Sequence, residues 1–311
     1  MANSILKRIK RRIKRTYYRK TGKYKQLAEL LYENEFNRKI NWEHPEDLNQ
    51  WINWISFNSD TSQWPQLADK LAVREYVKEK GFGDILIPLL GKWENPEYIS
   101  FDNLPDKFVL KANNGSGDVR VILDKNKEDL GEIRKYFQSI LGTKFGKESA
   151  EPHYLKIKPY VIAEALLDKE KQSIPSTSLI DYKFWCFNGK PVCCFVVTDR
   201  SKESFTVDLY TADDNWGKID KGNLVFDHHH KQSLQSLPKP QNLQKMILIA
   251  SELSKGLPQS RIDLYEVDDK VYFGEITLTS MCGRMKYFTP SYLNVLGEEC
   301  MKAARKLKIK Q

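Results

Sequence analysis

Nowhere does the chain run to about 18 consecutive apolar residues, the least that a bilayer-spanning helix needs, and its N-terminus lacks the apolar core of a signal peptide. A cytosolic protein is the expectation. Cysteine is scarce and odd in number. Cys186, Cys193, Cys194, Cys282 and Cys300 include no CxxC pair, so neither a disulfide framework nor a thiolate zinc site is indicated. With 16 Gly and 13 Pro, a collagenous or low-complexity chain is excluded. No Ser/His/Asp or Cys/His arrangement for nucleophilic catalysis can be assembled either. The first 26 residues lack any acid and carry eleven Lys or Arg, which leaves 39 cations against 41 acids in the rest of the chain. The basic charge therefore belongs to a tail, and the body is nearly neutral.

What is present is a body of ordinary globular composition, 41% hydrophobic, in a chain of 311 residues, enough for one large domain or two to three small ones. In the tail, residues 1–26, Ile5, Ile9, Ile13 and Tyr17 recur every fourth residue with Leu6 beside them. As a helix this segment carries a narrow apolar stripe between basic flanks, the pattern of a helix lying on an anionic membrane surface. A merely solvated basic helix would look similar. Nucleic acid is not expected, because a phosphate backbone has little use for the stripe.

Residues 27–66 are rich in Trp, Asn and Glu and read as short helices packed by aromatics. The spacing of Leu67, Leu71, Val73, Tyr76 and Val77 predicts one helix over 67–80, followed by a short apolar strand, ILIPLL. FVLKANNGSGDVRVIL reads as a hairpin with a Gly-rich tip, and a helix is expected around 127–141 before the strand in KPYVIAEALL. DYKFWCFNGKPVCCFVVTDR predicts a hairpin turning at Asn188-Gly189, and RIDLYEVDDKVYFGEITLT a second turning at Asp268-Asp269. Helices at about 241–255 and 291–308 flank that last pair. Strands and helices mix without strict alternation, so the fold class is α+β.

Three constellations could carry chemistry. Lys111 stands just before Asn113, Asn114, Gly115, Ser116 and Gly117. Glycines let backbone N–H groups approach an anion and the lysine adds a charge, which suits nucleotide phosphates, although a plain hairpin tip would carry the same residues. Asp263 and Glu275 lie in the two strands of the last hairpin, with Arg261 nearby. Residues whose numbers sum to about 538 should face each other, which sets the two carboxylates opposite. Such a pair repels unless a cation sits between, so its hard oxygens suit Mg²⁺ held with phosphate; a solvated acidic face is the other reading. Glu164 and Asp181 flank the loop between a strand and the next hairpin, and Lys183 shares a strand face with Asp181. His228, His229 and His230 are consecutive, a poor spacing for one metal, and read as a solvated loop.

In their order along the chain, LADKLAVREYV, LPDKFVLKANNGSG, DYKFWCFNGKP and RIDLYEV…YFGEIT closely resemble the TupA-like ATP-grasp family of bacterial surface-polysaccharide gene clusters, over about residues 30–300. The resemblance implies two α+β subdomains clasping ATP, with a shortened N-terminal region: 27–66 as the short helical N-terminal part, 67–165 as the lid-side subdomain and 166–311 as the C-terminal subdomain with the metal site. It also implies that Lys70 and Lys111 contact ATP phosphates under a mobile loop of Gly115, Ser116 and Gly117. Glu164 and Ala165 match the hinge at the adenine edge, and Asp181 the ribose acid. Asp263 and Glu275 match the Mg²⁺ carboxylates, with Thr277 where many relatives have Asn as a third ligand. Lys111, Lys183 and Arg261 are the candidate catalytic cations.

The resemblance thus implies an ATP-dependent carboxylate–amine ligase working through an acyl phosphate, needing ATP and Mg²⁺, and amidating a uronic acid or attaching an amino acid. Its expected partners are a carboxylate sugar or polysaccharide precursor, an amine, and the inner membrane face. A glycosyltransferase of such a cluster is the runner-up, but the pairs Asp213-Asp214 and Asp268-Asp269 lack DxD spacing. A non-catalytic ATP-binding module is the third reading.

Overall fold

The structure, a computed structural model, describes residues 2–309; the side chains of residues 2–5 and of Lys7, and so Ile5 of the apolar stripe, lie outside the described set. Five helices come first: α1 (Ala2–Thr21), α2 (Tyr24–Phe36), α3 (Leu48–Asn58), α4 (Trp64–Ala68) and α5 (Val73–Glu79). Asp47 starts α3 by accepting the Gln50 N–H at 2.9 Å, and within that helix Trp51 and Trp54 pack edge to face at 5.7 Å.

Residues 67–80 do not form one helix. Asp69, extended at ψ 113°, separates α4 from α5 because its carboxylate accepts the Leu71 N–H and the Asn113 amide, each at 2.8 Å, in place of helical bonding. The break carries Lys70 toward Gly115, whose carbonyl accepts from its ammonium group. The strand expected over ILIPLL is displaced as well. Gly83–Ile85 is a 3-10 turn, Leu86 makes a single bridge to Phe273, and pairing starts only after Pro88, which has no N–H to give a ladder.

The first sheet comprises β1 (Leu89–Trp93), β2 (Phe108–Ala112), β3 (Val119–Ile122) and β4 (Val161–Ala165), in the order β1-β4-β2-β3 and antiparallel throughout. Helix α6 (Leu130–Leu141) buries Ile133 and Phe137 against Phe108, Leu110 and Val161 of this sheet. The second sheet comprises β5 (Asp181–Phe187), β6 (Lys190–Thr198), β7 (Phe205–Thr211), β8 (His230–Gln232), β9 (Ser260–Val267) and β10 (Lys270–Thr277). Its order is β10-β9-β5-β6-β7-β8, with β7 and β8 alone parallel. Helices α7 (Leu243–Ser254) and α8 (Pro290–Lys306) complete the main core, in which Phe184, Trp185, Leu253 and Leu296 are fully buried.

All three predicted hairpins form, β2 with β3, β5 with β6 and β9 with β10. Asn188 and Gly189 have φ of 46° and 81°, and Asp268 and Asp269 have 55° and 56°, the left-handed pairs that a two-residue turn between twisted strands requires. His230 is not in a loop but opens β8, a three-residue strand held by its parallel partner. Among the described residues no helix is long and apolar enough to cross a membrane.

Helix α1 leaves Leu6, Ile9, Ile13 and Tyr17 about half exposed along one side. Its C-terminal half is not free. Arg15 and Arg19 both reach Glu148, and Tyr18 packs with Tyr24 against Leu27, Ala28 and Ala150.

Candidate functional site

A cleft of about 330 Å³ is lined from both sheets, by Lys111 of β2, Asp181 and Lys183 of β5, Asp263 of β9 and Glu275 of β10, together with Lys70, Ser116, Gly117 and Ala165. It continues into a mainly apolar cavity of about 580 Å³, with which it shares Val121, Leu166, Leu167 and Leu179 and, where the two meet, Asp181, Arg200 and Tyr265. One end is therefore charged and the other greasy, which suits a ligand with a polyanionic end and a flat ring.

On the first sheet, the Lys111 ammonium lies 2.6 Å from Glu164 Oε2, and Arg74 of α5 lies 3.3 Å from Oε1 of the same carboxylate. Glu164 is thus turned to two cations, and its neighbour Ala165 lines the cleft. Burial pulls the Lys70 ammonium below its ordinary value; the Lys111 charge adds to this, and Glu275 and Glu164 oppose it. Lys70 makes no ion pair among the described residues and is hydrogen-bonded to the Gly115 carbonyl. Two ammonium groups held in one half-buried cleft are a site for an anion.

On the second sheet, register brings the acids together. From the Asp268-Asp269 turn outward, paired residues sum to 537, as in Phe273 with Leu264. An irregularity at Gly274 then adds one residue, and Glu275 faces Asp263. Gly274 is needed there, since a Cβ would come within 2.9 Å of the Asp263 carbonyl. The next strand sets Lys183 opposite Asp263 on its other side.

The cation between the two carboxylates is the Arg261 guanidinium. Its Nε lies 2.7 Å from Asp263 Oδ1, and its Nη2 lies 2.7 Å from Oδ2 and 3.0 Å from Glu275 Oε1. Lys183 adds a contact of 2.5 Å to Asp263 Oδ2, and Thr277 donates to Glu275 Oε1 at 2.9 Å while accepting from Arg261. Burial alone would raise the Asp263 carboxyl, but Arg261 and Lys183 outweigh it and hold the group below its ordinary value. Asp181 is shared by Arg200 at 3.0 Å and Lys183 at 3.4 Å.

Among the described residues no three His, Cys, Asp or Glu are grouped to hold a metal by themselves. The donor set fits Mg²⁺ only in company with phosphate oxygens, as is usual for that ion. Glu275 Oε2 has no hydrogen-bond partner among the described residues, and its side chain is 38% exposed. Asp263 Oδ1 receives only Arg261, whereas Oδ2 is occupied by both cations.

Arg74, Arg200, Tyr265 and the apolar wall were not legible in the sequence. Arg200 follows a strand with no motif around it, and Leu166, Leu167 and Leu179 look like any loop leucines until the cleft gathers them. Tyr265 offered no signal either; the Asp181 carboxylate beside it, then burial, holds its hydroxyl well above the ordinary value.

Residues 50–301 match a family model described as TupA-like ATPgrasp. Among solved structures, D-alanine–D-alanine ligase from Bacillus anthracis is 15% identical, with 83% of this chain and 71% of that one covered at a TM-score of 0.45. The ATP-grasp ligase PsnB bound to a minimal precursor is 11% identical over 80% and 64%, with a TM-score of 0.43. The Helicobacter pylori D-Ala-D-Ala ligase is 15% identical over 84% and 68%, with a TM-score of 0.39. Among curated proteins, none matches the chain.

Proposed function

Since the chain belongs to the TupA-like ATP-grasp family, we propose that it is an ATP-dependent ligase that joins a carboxylate to an amine through an acyl phosphate, in the making of a cell-surface polysaccharide. The observation that carries this reading is the pair Lys70 and Lys111, two ammonium groups converging under a Gly-rich loop in a cleft whose far end is apolar. Triphosphate oxygens supply the negative partner that Lys70 lacks and share Lys111 with Glu164, and the apolar cavity takes the base.

In this reading a substrate carboxylate oxygen attacks the γ-phosphorus, the bond to the bridging oxygen breaks, and ADP leaves. The amine then adds to the acyl carbon, phosphate departs with the C–O electron pair, and the amine proton passes to solvent. Lys111, Lys183 and Arg261 hold fixed positive charge where negative charge develops, which is what phosphoryl transfer asks of a protein. Asp263 and Glu275 are the residues that would hold Mg²⁺ together with the phosphates, and the ion would supply neutralising charge there. The expected substrates are a uronic acid or amino acid and an amine-bearing partner.

Full-length protein given ATP, Mg²⁺, candidate uronates or amino acids, and hydroxylamine in place of the amine should form a hydroxamate and release ADP with phosphate. Release of AMP and pyrophosphate would make the chemistry adenylation. Sugar transfer from a nucleotide sugar without ATP would make the protein a glycosyltransferase.

We also propose that α1 seats the protein on an anionic membrane face, a reading supported by the exposed stripe of Leu6, Ile9, Ile13 and Tyr17 among basic residues. Ile9→Glu together with Ile13→Glu should abolish flotation with phosphatidylserine vesicles while leaving ATP binding intact. Flotation equal to that of the unaltered chain rules the idea out. Deleting residues 1–26 is a poorer test, because it also removes Tyr18 and Tyr24 from their packing.

A further inference from the structure

Three polar residues, Asp181, Arg200 and Tyr265, line both the charged cleft and the mainly apolar cavity, and so stand where the two spaces meet. A ligand with a polyanionic end and a flat ring passes this junction with whatever joins them. Arg200 belongs to no motif, yet the fold fixes its place. Asp199, one residue past β6, takes a left-handed φ of 50°, which Asp tolerates, and turns the chain at the end of the strand.

The loop leading into β5 holds that turn. The Asp199 carboxylate accepts the Thr177 N–H at 2.9 Å and the Thr177 hydroxyl at 3.2 Å, and its own N–H donates to Ser176 Oγ at 3.0 Å. The Arg200 N–H donates to Ser178 Oγ, also at 3.0 Å. Since that loop ends at Asp181, the first residue of β5, one set of bonds fixes Arg200 against its carboxylate partner.

Within the pair, Arg200 spends one nitrogen. Nη2 lies 3.0 Å from Asp181 Oδ2, while Nε and Nη1 have no hydrogen-bond partner among the described residues. The Phe205 ring of β7 covers one face of the guanidinium at 4.7 Å, which leaves the edge for hydrogen bonds, and the side chain is 45% exposed. A cation already joined to an acid is a poor phosphate site; the one without an ion pair here is Lys70, which lines the charged cleft alone. Neighbouring hydroxyls suit the pair better, because each hydroxyl both donates and accepts. Tyr265 adds a further donor, since the Asp181 charge and burial keep its hydroxyl protonated.

On the reading that ATP fills this cleft, we propose that Arg200 decides which sugar the nucleotide carries: with Asp181 it binds the vicinal diol of a ribose, donating from Nε and Nη1 while the carboxylate accepts. An acid alone takes the hydroxyl protons. Only with the guanidinium beside it are the hydroxyl oxygens bonded as well, and a sugar without them leaves both groups unmatched.

Calorimetry on the full chain with Mg²⁺ tests this, using ATP, 2′,3′-dideoxy-ATP and tripolyphosphate. The unaltered chain should bind ATP about ten-fold or more tighter than the dideoxy nucleotide. In Arg200→Ala the affinity for ATP should fall roughly ten-fold, while the dideoxy nucleotide and tripolyphosphate should bind within about two-fold of before, so that discrimination is largely lost. Arg200→Gln, which keeps one donor end, should fall between the two, and it is read alone if circular dichroism shows the Ala variant unfolded. Equal binding of ATP and dideoxy-ATP by the unaltered chain overturns the proposal. So do equal losses for both nucleotides in the variants, which would make Arg200 a clamp on Asp181 and nothing more, and weaker binding of tripolyphosphate, which would make it a phosphate ligand. If the unaltered chain binds no ATP at all, the ligase reading fails and takes this role with it, whereas ATP binding without discrimination sinks the role of Arg200 alone.

Discussion

A chain carrying Glu275→Gln should fold normally and yet release ADP about a hundred- to a thousand-fold more slowly, the cost of removing one group that stabilises charge in a transition state. The amide oxygen can still accept from Arg261 and Thr277, as Oε1 does now at 3.0 and 2.9 Å, so the packing of β9 against β10 is preserved. What disappears is the negative charge on Oε2, the one oxygen of the pair Asp263 and Glu275 without a hydrogen-bond partner among the described residues. Circular dichroism and ADP release on the same preparation check this. Turnover within a few-fold of the unaltered chain would remove Glu275 from the site.

Asp263→Asn should behave differently, although the two carboxylates face each other. Asp263 is 1% exposed and holds Arg261 and Lys183 at once, so losing its charge takes the shared carboxylate from two cations in the interior and leaves Arg261 to Glu275 and Lys183 to Asp181. Breaking such a pair costs about 3–5 kcal/mol, and the urea midpoint should fall accordingly. The pH dependence follows from the lowered carboxyl. A group held below its ordinary value of 3.8 contributes stability that is fully present above that value and is lost as pH falls through the folded one. The gap between the unaltered chain and Asp263→Asn should therefore stay constant from neutral pH to about 4 and close below it. Equal urea midpoints at pH 7 would show that Asp263 is not structural.

Much of the fold could be read from local chemistry. Asn188-Gly189 and Asp268-Asp269 declare their hairpins because residues that tolerate positive φ sit between two strand-like runs. The helix predicted over 67–80 failed for a reason no periodicity carries: Asp69 bonds to Asn113, 44 residues away, and breaks the pattern in two. The strand in ILIPLL failed at Pro88, whose meaning depends on which edge of a sheet it meets. Of the candidate site residues, Lys70, Lys111, Ser116, Gly117, Ala165, Asp181, Lys183, Asp263 and Glu275 line one cleft. Glu164, Arg261 and Thr277 lie beneath it as partners of those side chains.

The sequence by itself determined the α+β class, the family, the two hairpins and the fact that Asp263 and Glu275 share a face, because turn type and strand period are short-range properties. Only the tertiary structure decided what each charge does. The bulge at Gly274 sets Glu275 across from Asp263, and strand pairing brings Lys183 to the same carboxylate. The guanidinium of Arg261 occupies the place between the acids where spacing alone suggested a metal. Charge acts through distance in space, and Lys183 and Asp263, 80 residues apart in the chain, are 2.5 Å apart in the fold.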